Sequence, residues 1–516
     1  MHHGLFRHGE WHTQAPRILV LHCVCFLCLT LVMLYRTALQ VIAGYLIAIF
    51  SSIFTYRAFF HRLNNFPGPF AARTTKLWHL WKTRSSQNHF LLADLQRQYG
   101  DFVRTGPSEI TVFHPHIFRA IDGPRSNCIK AEWYDLLHPF TKSLVTTRSK
   151  ESHGSRRRLW KQGFTSKSLH NGTLQILSLI GQLDLCIQAD IRAGRSSEVS
   201  DLIYWLSFDR MAEFVLGTGN SFNMLSKKQW HYIVLLLQRG MSILGPFSPT
   251  PWLIQLFFRL MPRVWLLRDW FIMMKWCKDQ LEQCETTTMS TTTSPLAHYL
   301  LQDSLHNPTH KEWLGGDSLL AFVAGSEPTA GVLIGLLYEL AKNTAQADII
   351  YREIQQHKQT DIQQCQHLKA AIYEALRLYP SLPTGGNRKT PRDEGITIAG
   401  VFIPPDTTIV APKFCIGRLE STFEEPNRFI PERWTTRPEL VRDRSAFTPF
   451  GSASHSCLGQ ALAMNDMMLV TAHIVRRYRM SFPAGEDGLC VFRDWTDRFT
   501  SGLGRLRLVF EMRDGQ

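Results

Sequence analysis

Two long apolar runs open the chain. From Ile18 to Tyr35 only His22 and Thr30 interrupt the apolar residues, and after Arg36 a second run extends from about Thr37 to Thr55. Each is about the length, roughly 17–25 residues, that crosses a bilayer as a helix. Two geometries satisfy the pattern: one long span that takes in Arg36, or a helical hairpin that turns near it. Arg7 and Arg17 precede the first run, and Arg57 and Arg62 follow the second. Basic flanks at both ends favour the hairpin, with both ends in the cytosol. A cleavable leader fits poorly, because the apolar region is too long and no small-residue cleavage site ends it. Phe66-Pro67-Gly68-Pro69-Phe70 then breaks any helix. The expected division is a membrane anchor at 1–60 and a folded domain at 61–516.

Beyond the prolines, apolar residues recur at helical spacing, as in Leu202 to Leu216, Trp252 to Trp276 and the long stretch Leu319 to Leu340. After about Thr384 the pattern changes. Gly, Pro and β-branched residues alternate through 396–404, which predicts short strands and turns. Helical spacing returns after Cys457. The fold class predicted is mainly α, strictly α+β, with a small strand-rich lobe. The one low-complexity patch, Thr286 to Pro295, reads as a surface loop.

Composition narrows this picture only a little. The chain has 516 residues, 44% of them hydrophobic, enough for a large core and too apolar for a disordered chain. A net charge of +14 suits anionic lipid, an acidic protein or nucleic acid. The longest purely basic run is Arg156-Arg157-Arg158, and no basic stripe is interleaved with aromatics, so nucleic acid is not an expected partner. Eleven cysteines, odd in number and scattered, point to a reducing compartment. The sequon Asn171-Gly172-Thr173 is then expected to stay unused.

One cysteine stands apart. In the stretch Phe450-Gly451-Ser452-Ala453-Ser454-His455-Ser456-Cys457-Leu458-Gly459, small residues precede Cys457 and a helix-compatible run follows it. A cysteine just ahead of a helix N-terminus meets free amides and the positive end of the dipole, which stabilise a thiolate. Small residues also let a flat ligand approach the backbone. A buried structural cysteine beside a tight turn would give the same local pattern. The stretch resembles the haem-binding loop of the cytochromes P-450, written FxxGxRxCxG. Phe450, Cys457 and Gly459 match; Ala453 stands where the family has glycine and His455 where it has arginine. Histidine can still donate a hydrogen bond there, with a charge that depends on pH.

Further segments carry the resemblance, which spans roughly Asn64 to the C-terminus. Glu374-Ala375-Leu376-Arg377 resembles the family's ExxR, with both side chains on one helical face. Pro431-Glu432-Arg433-Trp434 resembles its PERF segment, whose arginine completes a buried Glu–Arg–Arg cluster. His153 and Arg157, four apart, resemble a pair that contacts a haem propionate, and Arg388 resembles another propionate-binding arginine. Arg156 and Arg158 are expected to be solvated surface. The resemblance thus implies heme b with Cys457 as the axial thiolate ligand, and His153, Arg157, Arg388, His455 and Phe450 as further haem contacts.

Ala324-Gly325-Ser326-Glu327-Pro328-Thr329 resembles the AGxDTT signature of the family's oxygen-binding helix. Glu327 matches the acid and Thr329 the second threonine, but Pro328 takes the place of the first. Pro328 cannot bond to the carbonyl of Ala324, so the helix is expected to kink or open there. Ser326, Thr329, a water or a substrate hydroxyl would replace the missing hydroxyl, which makes Glu327, Thr329 and Ser326 the candidate catalytic residues. The resemblance implies a monooxygenase that inserts one atom of dioxygen into an apolar small molecule, with electrons from NADPH through NADPH–cytochrome P-450 reductase. It also implies residence in the endoplasmic reticulum membrane with the domain facing the cytosol. Residues 220–276, with Phe322 and Val323, are expected to line the pocket. The motif order is most similar to fungal secondary-metabolism members, which suggests a terpenoid, polyketide or indole-derived substrate. A non-catalytic haem sensor or carrier, and a rearranging or desaturating enzyme, are the alternatives.

Overall fold

The computed structural model describes residues 11–283 and 295–513, apart from 139, 218 and 358; the loop expected at Thr286 to Ser294 lies outside them. The first apolar run forms α1 (Ala15–Val32) and the second α2 (Tyr35–Thr55). Met33 and Leu34 leave helical geometry between them, so the chain reverses there. His22 Nε2 lies 3.1 Å from the Tyr45 hydroxyl, and the Phe26 and Tyr35 rings are 6.3 Å apart, as in an antiparallel pair. Both helices are long and apolar enough to cross a membrane, and only 6% of each apolar window is buried in the protein. Two other helices meet the same length and composition test, Ser166–Arg192 and Pro308–Lys342. They are 44% and 72% buried and belong to the folded domain.

The domain is built around the helix Lys311–Lys342, which packs against helices Val199–Leu216, Trp265–Gln283 and Gln366–Leu378. Glycine permits this closeness. A Cβ on Gly325 would overlap the Met211 sulfur, and one on Gly335 would lie 2.5 Å from the Tyr379 ring. The stretch 252–276, where the spacing is helical, holds two helices, Pro251–Leu260 and Trp265–Gln283. The predicted kink or opening at Pro328 does not interrupt the long helix, which is helical from Lys311 through Lys342. The Ser381 hydroxyl donates to the Pro328 carbonyl at 3.3 Å and so ties this turn to a neighbouring segment.

The strands are short. In chain order they are β1 (Phe102–Gly106), β2 (Glu109–Val112), β3 (Ile129–Lys130), β4 (Ser197–Glu198), β5 (Arg388–Lys389), β6 (Ile396–Ile398), β7 (Val401–Ile403), β8 (Thr408–Val410), β9 (Tyr478–Ser481), β10 (Thr496–Arg498), β11 (Thr500–Gly502) and β12 (Arg507–Met512). One five-stranded sheet has the order β1-β2-β8-β5-β3, with β2 and β8 parallel. The others are β4-β12-β9, the hairpin β6–β7 expected at 396–404, and the hairpin β10–β11.

One surface expectation is corrected. Arg156 is 4% exposed, not solvated. Its Nε lies 2.5 Å from Asp317 and its Nη1 2.5 Å from Asp303. It therefore pins helix Lys150–Lys161 to helices Leu296–His306 and Lys311–Lys342. The acids arrive from 161 and 147 residues away, so nothing near Arg156 in the sequence announces them. Its neighbour Arg158 is exposed, as expected.

Candidate functional site

The cysteine loop is held by its own backbone. Cys457 N–H donates to the Phe450 carbonyl at 2.8 Å, closing the loop, and a single 3-10 turn spans Ala453–His455. Gly451 and Ala453 have φ of +70° and +47°, the left-handed region that a glycine enters without cost. Helix Gln460–Arg477 starts directly after Gly459, so Cys457 sits just ahead of a helix N-terminus. The Cys457 side chain is open to solvent yet set among protein groups. That shelter raises its thiol above the ordinary value, while the Gly459 amide, Arg157 and Lys413 pull it back down.

A cluster of cations gathers beside this loop. Arg157 donates to the Ser456 carbonyl at 2.7 Å and to its hydroxyl at 2.9 Å, joining helix Lys150–Lys161 to the residue before the cysteine. The His153 and His455 rings stand 4.8 Å apart. Arg388 donates to Asp122 at 2.7 Å and to the Tyr134 hydroxyl at 3.0 Å. Lys130 is buried and donates to the carbonyls of Leu144, Val145 and Thr147. Burial and the positive neighbours push His153 and His455 down to about 3, and burial with Arg388 pushes Lys130 down to about 7. The guanidiniums of Arg157 and Arg388, beside two imidazoles that can donate hydrogen bonds, form a site suited to an anion. The structure thus brings together Cys457, His153, Arg157, Arg388 and His455, with Phe450 beneath as the backbone acceptor.

The loop is backed by a buried carboxylate with two guanidiniums. Glu374 Oε1 accepts from Arg377 and Arg433, each at 2.8 Å, and from the Ile430 amide at 3.0 Å. Its Oε2 accepts from Arg377 at 2.9 Å and from the Trp434 indole at 3.0 Å. Arg377 also donates to the Gly417 and Pro426 carbonyls. Burial opposes ionisation of Glu374, but Arg377 and Arg433 outweigh it and hold the carboxyl below its usual range.

On the long helix, Ala324 is exposed although the residues on either side of this turn are largely buried. This turn of the helix thus leaves a face uncovered. At about 100° per residue, Pro328 shares the face of Ala324, Glu327 flanks it, and Ser326 points to the opposite side. The Ser326 hydroxyl is committed to the Phe322 carbonyl at 2.7 Å, so it is not brought to the open face. Thr329 is half-buried. Glu327 is buried, accepts from the Thr500 hydroxyl at 2.5 Å, and burial pushes its carboxyl up despite that hydrogen bond and Arg498. Phe322 and Val323 are also buried; Phe322 packs against Phe222 and Trp276 at ring separations of 5.8 and 6.0 Å.

Sequence reasoning missed Lys130, Asp122, Tyr134, Lys413 and Thr500. None lies in a motif of its own, and each reaches the site only through tertiary closure. Lys413 is the clearest case: it donates to the Thr448 carbonyl at 2.7 Å, behind the cysteine loop.

Comparison with known proteins agrees with this geometry. The family model described as Cytochrome P-450 matches residues 67–498. The chain is 33% identical to the cytochrome P-450 monooxygenase FCK2 of Fusarium pseudograminearum, over 99% of its own length and 96% of the relative's. It is 34% identical to the monooxygenase orf5 of Eupenicillium brefeldianum, covering 92% and 97%. With the tryprostatin B 6-hydroxylase of Aspergillus fumigatus it shares 31% identity, covering 99% and 94%.

Proposed function

The chain belongs to the cytochrome P-450 family and is a monooxygenase; from that premise we propose that Cys457 ligates a heme b and that the enzyme oxidises an apolar secondary metabolite. The carrying observation is the closed Cys457 loop set beside a buried cationic cluster whose one contacting acid is Asp122 among the described residues. That arrangement fits an iron porphyrin: a soft thiolate suits the iron, and the cations suit the propionates. Held by Cys457, such a group would supply the dioxygen chemistry of a monooxygenase, in which two electrons and two protons let one oxygen atom enter the substrate while the other leaves as water.

The protein's own residues do the rest. Arg157, Arg388, His153 and His455 hold the propionate edge, and Lys130 adds positive charge while fixing the segment 144–147. The Glu374, Arg377 and Arg433 cluster stiffens the support of the cysteine loop. The pocket is bounded by the Ala324 face of the long helix, and Glu327 and Thr329 beside it handle protons. Residues 1–60 anchor domain 61–516 to the endoplasmic reticulum membrane with the domain in the cytosol. There NADPH–cytochrome P-450 reductase supplies electrons, and the lipid supplies apolar substrate.

The test is the carbon monoxide difference spectrum of the reduced protein. A thiolate-type Soret band is expected in the wild type and its loss in Cys457→Ala. A wild-type protein without that band, or a variant that keeps it, overturns the assignment.

A further inference from the structure

Pro328 removes a hydroxyl from the long helix at the turn where Glu327 sits, and the Ser326 hydroxyl does not replace it, being turned away and bonded to Phe322. Glu327 nevertheless has a hydroxyl partner. Thr500 Oγ1 donates to its Oε2 at 2.5 Å, from the hairpin β10–β11 and 173 residues along the chain. Among the described residues Glu327 has no ion pair, and this is its one side-chain hydrogen bond. The acid is 7% exposed, so a single short hydrogen bond decides where its carboxyl points. Tyr204, from helix Val199–Leu216, and Arg498, from β10, are the titratable groups that act on it from the packed elements.

The hairpin is shaped to make this contact. Its turn residue Phe499 has φ of +74°, unusual for a bulky side chain and imposed by what surrounds it. The Asp497 carboxylate accepts the Phe499 amide at 3.2 Å, and the Phe499 ring stacks on Trp133 at 4.2 Å with 17° between planes. With Phe499 held against Trp133, the next residue, Thr500, reaches the helix. The Ser501 amide donates to the Ser381 carbonyl at 2.9 Å, and Ser381 in turn donates to the carbonyl of Pro328. Helix and hairpin are therefore stitched together across the proline turn.

We propose that Thr500 is the positioning residue of Glu327, supplying from the hairpin the hydroxyl that Pro328 withholds from the helix. The inference rests on reading Glu327 as the proton-handling acid. It makes the acid–hydroxyl pair a contact between two elements, so the packing of the hairpin on the helix also orients the acid.

The test uses the full-length, haem-loaded protein. In the resting protein, without turnover, the infrared carboxyl band absent from Glu327→Gln identifies Glu327. In Thr500→Val that band is expected to shift to the higher wavenumber of a carbonyl freed from a hydrogen bond. Product formed per NADPH is expected to fall by up to about tenfold, the worth of one buried hydrogen bond, with a matching rise in peroxide. Thr500→Ser should restore both, and an intact Soret spectrum in each variant shows that the fold survives. If Glu327→Gln uncouples the enzyme while Thr500→Val leaves band and coupling unchanged, the proposal alone falls. If Glu327→Gln couples like the wild type, the reading of Glu327 fails and takes the proposal with it.

Discussion

Ala453 holds a left-handed backbone, φ +47°, at the position where the family's loop has glycine. An L-residue with a Cβ pays about 1–2 kcal/mol for that conformation. Ala453→Gly should therefore stabilise the protein by about 1 kcal/mol, read as a rise in the thermal midpoint with an unchanged Soret spectrum. No rise, or a fall, contradicts the strain. Asp497 makes a second prediction. Buried at 4% exposure, its carboxyl is pushed up to about 6 even though Thr384 and the Phe499 amide donate to it. The folded state then holds a proton that the unfolded state releases near the ordinary value of 3.8. Stability falls as pH rises from about 4 to about 6, then levels off. Asp497→Asn should flatten that window by on the order of 2 kcal/mol; unfolding midpoints at pH 4.5 and 6.5, compared with wild type, decide it.

At the level of elements, what was legible in the sequence and what was not separate cleanly by distance along the chain. Glu374 and Arg377 are three apart on one helix, and the Cys457 loop lies within ten residues, so both carried their geometry in their spacing. Arg433 could be assigned only because its segment, too, is a local pattern. Arg156 was misread because its acids come from two distant helices, and Thr500 was invisible because a three-residue strand has no period to read. The helix through Pro328 survives because it is buried on nearly every side, and packing outweighs the loss of one backbone bond. The Glu374 cluster is where an element-scale test bites. Glu374→Ala would leave two guanidiniums buried without their carboxylate, a cost of about 3–5 kcal/mol. We expect a large drop in the denaturant midpoint and loss of haem-loaded protein; a midpoint within experimental scatter of wild type would show that the carbonyl acceptors alone suffice.

For the whole molecule, the reversal at Met33 and Leu34 fixes an expectation about sidedness. With α1 and α2 antiparallel, an anchor made of both helices is expected to put the start of α1 and the domain on the same face of the membrane. In sealed microsomes, protease should remove an N-terminal tag as readily as it digests the domain. A protected tag beside a digested domain would mean a single span.

Asp135 gives this arrangement a further meaning. It accepts from His12, at 2.9 Å, just before α1, and from Arg148, at 2.6 Å, while Arg148 also donates to the Lys130 carbonyl at 2.9 Å. The backbone carbonyl of the same Asp135 accepts from Gln255, in the helix Pro251–Leu260 against which α1 packs. A string of hydrogen bonds thus runs from His12, just before α1, to β3, which carries Lys130. Where α1 and α2 sit in a bilayer, a change in their tilt is expected to reach Arg148 and the Lys130 carbonyl through this string. Removal of the residues before the domain is expected to take away the His12 contact to Asp135 and lower the thermal midpoint of the truncated chain; an unchanged midpoint would show that the string carries no load.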